Sequence, residues 1–152
     1  MTRSYDMKKI LLLFVFAIGC STYAHSQIKL GAGLETNFDN LGIKGQLLLP
    51  ISEAIQIQGS GTVFLTSPVA TMFNADIHYL LTTGGDSDNI LAKAFAGLNY
   101  WSSGFDGDDS ELGINIGTNL TFPINYNLDG FIEAKLSLIS VANFHLAAGV
   151  YF

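Results

Sequence analysis

Apolar and polar residues alternate along eight successive segments of this chain, and no other feature restricts its fold as much. In the clearest segment, Glu111–Phe122, every even-numbered residue except Thr118 is apolar. Because successive side chains of a β-strand point to opposite faces, a period of two predicts a strand with one apolar face. The predicted strands are Gln27–Phe38, Gly42–Leu49, Ala54–Leu65, Thr71–Leu81, Asn89–Trp101, Glu111–Phe122, Leu128–Leu138 and Ala142–Phe152.

The number and length of these strands favour a closed barrel. Each segment is near the ~9–11 residues that a tilted strand needs to cross a bilayer. An even number of strands returns both termini to the same end of the sheet, as in the closed barrels of outer membranes. We therefore predict an all-β fold, a closed eight-stranded antiparallel up-and-down transmembrane β-barrel in which the last strand pairs with the first.

Residues 1–26 have the pattern of a cleaved secretory signal peptide. Lys8 and Lys9 precede an apolar run too short to span a membrane, and the small-residue site AHS follows it. Cleavage after Ser26 leaves a single domain, the barrel of residues 27–152, and translation starts at Met1 or Met7. Cys20 leaves a second possibility open, because AIGC resembles a lipoprotein box whose cysteine would carry lipid.

The composition favours a lipid environment. Hydrophobic residues make up 49% of the chain and charged residues only 13%, about half the charged share of roughly 25% in soluble domains. The net charge of −6 argues against nucleic acid as a partner. No stretch after the signal peptide is apolar for the ~18 residues that a transmembrane helix needs.

The aromatic residues of the apolar faces lie at or near the strand ends, while the strand centres carry aliphatic residues, Ala and Gly. Aromatic girdles around an aliphatic band are typical of barrels that meet both membrane interfaces. The predicted aromatic girdle consists of Phe38, Phe73, Tyr79, Tyr100, Phe122, Phe144 and Phe152.

Charged residues fall on the opposite, polar faces, where a barrel would turn them toward its interior. Eight strands leave an interior that side chains just fill, so we predict a plugged lumen with internal ion pairs such as Glu35 with Lys44. The predicted lumen polar network consists of Lys29, Glu35, Lys44, Asp76, His78, Lys93, Glu111, Asp129, Glu133, Lys135 and His145. The parity of the last two strands requires an odd-numbered partner for His145, and the short loop between them leaves Lys135 or Ser137.

The stretches ELGINIGTNLTFPI and FHLAAGVYF carry a resemblance to a known family. The chain resembles the small eight-stranded barrels of Gram-negative outer membranes, of the outer membrane protein A/X and opacity-protein type, over about residues 27–152. The resemblance implies a location in the cell outer membrane, contact with outer-membrane lipid, and recognition of the C-terminal strand by the barrel-assembly machinery. We also expect a monomer. The resemblance does not choose among the functions of the family.

Three function classes follow from these patterns. The first is a non-enzymatic outer-membrane barrel with a structural or surface-interaction role. The second is a soluble or periplasmic barrel that binds an apolar ligand inside. The third is a lipid-modifying outer-membrane enzyme, which the chain supports least, because neither His78 nor His145 lies in the H-x-S pattern of such enzymes.

No cofactor, metal or catalytic site is predicted. The acidic stretches Gly84–Asn89 and Asp106–Glu111 offer carboxylates to Ca²⁺ but lack the spacing of a known calcium loop. His78 and His145 fall at different depths on strands that lie nearly opposite each other. A hydrogen-bond network is therefore the favoured role of both histidines.

Overall fold

The computed structural model describes residues 28–66, 68–81, 90–103 and 109–152. The predicted signal peptide, Cys20, the stretch Gly84–Asn89 and residues 106–108 of the second acidic stretch lie outside these ranges. Within them, no helix is long and apolar enough to cross a bilayer.

Eight antiparallel strands form a closed barrel, which confirms the predicted fold class. Each strand pairs with its neighbours in chain order, and β1 pairs with β8 from Gly31 opposite Tyr151 to Thr36 opposite Leu146. The strands are β1 Lys29–Thr36, β2 Leu41–Pro50, β3 Ile55–Phe64, β4 Ala70–Leu80, β5 Leu91–Ser103, β6 Asp109–Asn125, β7 Leu128–Leu138 and β8 Ala142–Tyr151.

The strand ends differ from the predicted bounds by at most three residues, and β1 and β6 show the physical reasons. β1 stops at Thr36, and Phe38 lies in the turn with a φ of 71°. This left-handed backbone is uncommon for a residue other than glycine. The turn is held by Asn40, whose backbone N–H donates to Asn37 Oδ1 at 2.9 Å. β6 extends beyond the predicted segment at both ends, because its pairing with β5 and β7 continues to Asp109 and Asn125.

The seam between β1 and β8 depends on glycine. Gly33 and Gly149 are direct cross-strand partners. A Cβ on Gly149 would lie 2.2 Å from the carbonyl oxygen of Ala32 and 2.6 Å from Cα of Gly33. Since atoms cannot approach so closely, a larger residue here would push apart the strands that close the barrel.

The two ends of the barrel are named here by the connections they carry. The terminal end carries residues 28 and 152 and the connections β2–β3, β4–β5 and β6–β7. The distal end carries the other four connections.

The interior contains polar residues flanked by two small apolar clusters. Leu48, Phe131, Ala147 and Tyr151 form one cluster toward the terminal end. Phe64, Ala70 and Met72 form the other toward the distal end, with Trp101 packed against it. Side chains thus occupy the lumen above and below its charged centre.

Candidate functional site

The centre of the lumen holds a buried network of ion pairs. Lys44 Nζ donates to Glu133 Oε1 and lies 3.5 Å from Glu35 Oε2. Lys135 Nζ lies 2.8 Å from Glu35 Oε1, and His145 Nδ1 lies 3.1 Å from the same oxygen. All five residues are at most 2% exposed. We call this group the central charge network.

The strand registers explain how this network assembles. Lys135 and His145 are direct cross-strand partners on β7 and β8, which confirms one of the two predicted registers. Gly33 lies opposite Lys44, and Glu35 lies opposite Gly42, so Glu35 and Lys44 meet along a diagonal. The contact between Lys44 and Glu133 crosses the lumen from β2 to β7, and only closure of the sheet brings these strands together.

Neutral side chains complete the coordination of the two acids. Thr62 Oγ1 donates to Glu35 Oε2 at 2.7 Å. Glu133 Oε2 accepts from Gln58 Nε2 at 3.3 Å and from Asn119 Nδ2 at 3.4 Å. Because buried carboxylates are stable only when their oxygens are paired, these donors are as much a part of the network as the lysines.

A second layer of the lumen is built around Asn115. Its amide nitrogen donates to Asn74 Oδ1 at 2.8 Å and to Asp76 Oδ1 at 3.1 Å. Its amide oxygen accepts from Ser137 Oγ at 3.0 Å and from the amide of Asn99. These side chains come from four adjacent strands, β4 to β7, so the layer ties half of the wall together.

The sequence analysis missed the neutral members of both layers, because it selected only charged residues and histidines. Their position on the inward face of each strand could have identified them. They are Gln58, Thr62, Asn74, Asn99, Asn115, Asn119 and Ser137.

The remaining basic residues of the predicted lumen network lie toward the terminal end. Lys29 pairs with Asp129 at the rim, where both side chains are partly exposed. Lys93 is buried and donates to Thr121 Oγ1 at 3.2 Å. His78 is buried and stacks on Phe95 with a ring separation of 4.7 Å.

Glu111 does not join the buried network to which the sequence analysis assigned it. Its odd-numbered position in β6 is that of the inward-facing residues, but it lies exposed at the distal mouth. There its Oε2 accepts from Ser140 Oγ at 2.8 Å and from the backbone N–H of Ser140 at 3.4 Å. The reason is the length of β6, which carries Glu111 past the residues that fill the barrel.

The residues of the predicted aromatic girdle point outward and are exposed, except Phe122, which is partly covered and lies against Gly130. Phe38 stacks on Phe144 with a ring separation of 5.7 Å, and Phe73 lies opposite Tyr100. Both pairs lie toward the distal end. Tyr79, Phe122 and Phe152 lie toward the terminal end.

The charged side chains of the described ranges are not arranged as metal ligands. In the described ranges, no three His, Cys, Asp or Glu side chains lie close enough together to hold a metal ion. The lumen side chains pair with one another, and their contacts connect opposite sides of the barrel wall.

Comparison with known proteins identifies the fold. No protein-family model and no curated protein sequence matches the chain. The N-terminal β-barrel domain of Pseudomonas aeruginosa OprF is similar in structure, with a TM-score of 0.69 and 14% sequence identity over 84% of this chain and 98% of that chain. Neisserial surface protein A has a TM-score of 0.55 and 13% identity, covering 83% and 94% of the two chains.

A de novo designed transmembrane β-barrel is also similar, with a TM-score of 0.56 and 13% identity over 82% of this chain and 91% of the design. At such low identities the likeness establishes the fold and nothing finer. For the fold, the resemblance to small eight-stranded outer-membrane barrels is confirmed.

Proposed function

We propose that the protein is an integral outer-membrane β-barrel with a plugged polar lumen, and that its role is structural or that of a surface-interaction protein. One observation carries this proposal, namely the inverted burial of its side chains. Charged residues such as Lys44, Glu133 and Lys135 are buried inside, whereas the outward face of the strands is apolar. Exposed aliphatic residues of that face include Leu30, Leu34, Ile43, Ile57, Val63, Ile77, Leu98, Ile114, Ile116, Leu120 and Ile132.

The same observation argues against the soluble alternative. A barrel that binds an apolar ligand in water needs an apolar interior and a polar outside. Here an apolar ligand would meet the central charge network, and water would meet a continuous apolar band, far larger than the patches that soluble monomers expose. Lipid is the solvent that matches this surface.

Folding in lipid tests the membrane assignment. The mature chain, residues 27–152, is expected to fold from urea into lipid vesicles or detergent micelles and to migrate differently on a gel before and after boiling. It is also expected to float with the vesicles in a density gradient. A chain that folds into a stable monomer in plain buffer would contradict the assignment.

The filled interior supports a barrel that does not conduct. Phe64 and Phe131 are 0% and 1% exposed, and Tyr151 OH donates to Gln58 Oε1 at 3.2 Å across the terminal end of the lumen. With ion pairs between the two apolar clusters, an ion would have to displace several buried contacts at once. We therefore expect no passage for hydrated ions.

Planar-bilayer recording checks this expectation. The purified monomer is expected to give no stable porin-sized conductance steps, whereas Lys44→Ala, which removes the central cation, is expected to allow a small leak. A matched Lys29→Ala variant at the rim is expected to stay silent. Regular large steps from the wild-type monomer would show that the lumen is open.

The non-enzymatic part of the proposal rests on the surroundings of His145. Glu35 Oε1 lies 3.1 Å from its Nδ1, on the side where the acid of a catalytic triad would lie, but a deacylase also needs a nucleophilic hydroxyl on the other ring nitrogen. Among the described residues, no hydroxyl forms a hydrogen bond with His145. The nearby Ser140 donates to Glu111 instead.

The proposed partners are outer-membrane lipid and the machinery that assembles barrels, which would read the apolar C-terminal strand. That strand ends on Phe152, whose backbone N–H donates to Leu30 O at 2.8 Å. All edges of the sheet are paired in the closed barrel, so the strands offer no free edge for oligomerisation, and we propose a monomer.

A further inference from the structure

The lysines of the mature chain all lie inside the barrel or are paired at its rim. Residues 27–152 contain no arginine and only four lysines, Lys29, Lys44, Lys93 and Lys135. The last three are at most 2% exposed. Lys29 is partly exposed at the terminal end, where its ammonium group pairs with Asp129. In the described ranges, the outer surface therefore offers no unpaired Lys or Arg to a lipid headgroup.

Both ends of the barrel expose acids instead. Asp39 lies exposed in the β1–β2 connection of the distal end, and Asp109 and Glu111 lie exposed at the start of β6. Glu53 lies exposed in the β2–β3 connection of the terminal end. None of these four carboxylates forms an ion pair with another described residue. We call them the rim acids.

The charges inside the lumen do not offset the rim acids. The buried charged side chains are three lysines and three acids, Lys44, Lys93, Lys135, Glu35, Asp76 and Glu133. Their charges cancel in number, and the pair of Lys29 with Asp129 at the terminal end is balanced as well. The net charge that the described residues present to a membrane surface is therefore that of the rim acids.

A bilayer of anionic lipids repels rims of this kind. The negative potential of an anionic leaflet attracts a nearby lysine or arginine by an amount that corresponds to about fivefold in binding per residue, and it falls off within a Debye length. The same potential acts on a carboxylate with the opposite sign. Zwitterionic headgroups carry no net charge, so they impose no such penalty on the rim acids.

We propose that the barrel prefers a bilayer whose surface carries no net negative charge, and that it folds well into anionic lipid only where salt or divalent cations neutralise the headgroups. The proposal rests on the membrane assignment made above. Folding into zwitterionic vesicles tests that assignment, whereas the difference between zwitterionic and anionic vesicles tests this proposal.

Urea titrations in two lipid compositions measure the preference. The mature protein is folded into vesicles of phosphatidylcholine, or of phosphatidylcholine mixed with phosphatidylglycerol, at low salt. The acyl chains are the same in both, so the apolar face of the barrel meets the same hydrocarbon. We expect the folding equilibrium constant to be at least about tenfold lower in the anionic vesicles, because several rim acids are repelled together. High NaCl or added MgCl₂ is expected to remove most of this difference.

Variants that remove one negative charge separate the rims from the overall charge. Asp39→Asn at the distal end and Glu53→Gln at the terminal end are each expected to raise the folding constant in anionic vesicles about fivefold relative to that in zwitterionic vesicles. Asp76→Asn is the matched control, since it removes the same charge from a lumen side chain that is 1% exposed. It is expected to change the ratio between the two lipids less than about twofold, whatever it does to stability in each.

Three results would overturn the proposal. The first is an equal or higher folding constant in the anionic vesicles at low salt. The second is a difference between the lipids that neither Asp39→Asn nor Glu53→Gln reduces. The third is a reduction by Asp76→Asn as large as that by the rim variants, because the overall charge of the chain would then be responsible. A chain that folds into neither kind of vesicle would contradict the membrane assignment, and this proposal with it.

Discussion

Lys44→Met is expected to lower the free energy of unfolding by about 3–5 kcal/mol, the usual cost of removing one partner from a buried ion pair. Lys44 is the only residue of the central charge network that contacts both acids, Glu133 and Glu35. Glu35 would keep Lys135 at 2.8 Å and the hydroxyl of Thr62 at 2.7 Å. Glu133 would keep only two amide donors, so its buried charge would lose most of its compensation.

Urea titrations of the protein folded in vesicles measure this effect. Lys29→Met is the matched control, since it removes the same charge from the partly exposed pair with Asp129. A pair of that kind contributes about 0–1 kcal/mol. Equal losses in the two variants would show that Lys44 does not hold the lumen together.

A double-mutant cycle separates the ion pair from the packing of the side chain. In Lys44→Met/Glu133→Gln both charges are absent, and no carboxylate is left without a cation. The double variant is therefore expected to lose less stability than the sum of the two single variants. Simple additivity would mean that Lys44 acts through packing alone.

Much of the barrel could be predicted because a period of two determines on which face of the sheet each side chain lies. The face then determines whether the side chain is buried in the lumen or exposed. Once the apolar residues of β6 are assigned to one face, Asn115 and Asn119 must share the other, and the structure buries both. The same parity, together with the short loop between β7 and β8, limited the partner of His145 to two residues, one of which is Lys135.

Strand ends and cross-lumen partners could not be predicted in this way. The end of β1 is set by the turn around Phe38, whose backbone depends on hydrogen bonds between Asn37 and Asn40. The partner of Lys44 is set by closure of the sheet. Proximity along the chain suggested Glu35, whereas the hydrogen-bonded partner is Glu133, 89 residues away.

The sequence predicted which charged residues form the candidate site better than it predicted where the buried part of that site ends. The odd or even position of a charged residue in its strand predicted that it faces the lumen. Glu111 shows that this position alone does not predict how deep in the lumen the residue lies. A residue with inward parity is buried only where the opposite wall and the other lumen side chains cover it. Glu111 is exposed at the distal end because β6 continues beyond that point.

The outward face gives the second large effect. Ile116→Arg is expected to destabilise the protein in a bilayer by about 2–4 kcal/mol, because an arginine would face hydrocarbon at the centre of the membrane. Ile116 lies near the middle of β6, is 48% exposed and pairs with Ala96 and Leu136. Both neighbours belong to the outward apolar face, so the new cation would find no acid beside it.

The control must place the arginine at a different depth in the membrane but on the same outward face of β6. Asn115→Arg, one residue away, is unsuitable because Asn115 holds the amide layer together with four hydrogen-bonding partners. Leu112→Arg lies on the same strand and face but toward the distal end, and its side chain is 71% exposed. Near an interface an outward arginine costs about 0–1 kcal/mol.

Refolding titrations in vesicles and in plain detergent together give the decisive comparison. In vesicles, Ile116→Arg is expected to be destabilised more than Leu112→Arg. In micelles, which let a long side chain reach water, the difference is expected to shrink. A loss that is equal at both depths, or unchanged by the bilayer, would mean that the apolar face of β6 does not contact lipid. The membrane assignment would then lose its main support, because that face is what distinguishes this barrel from a soluble one.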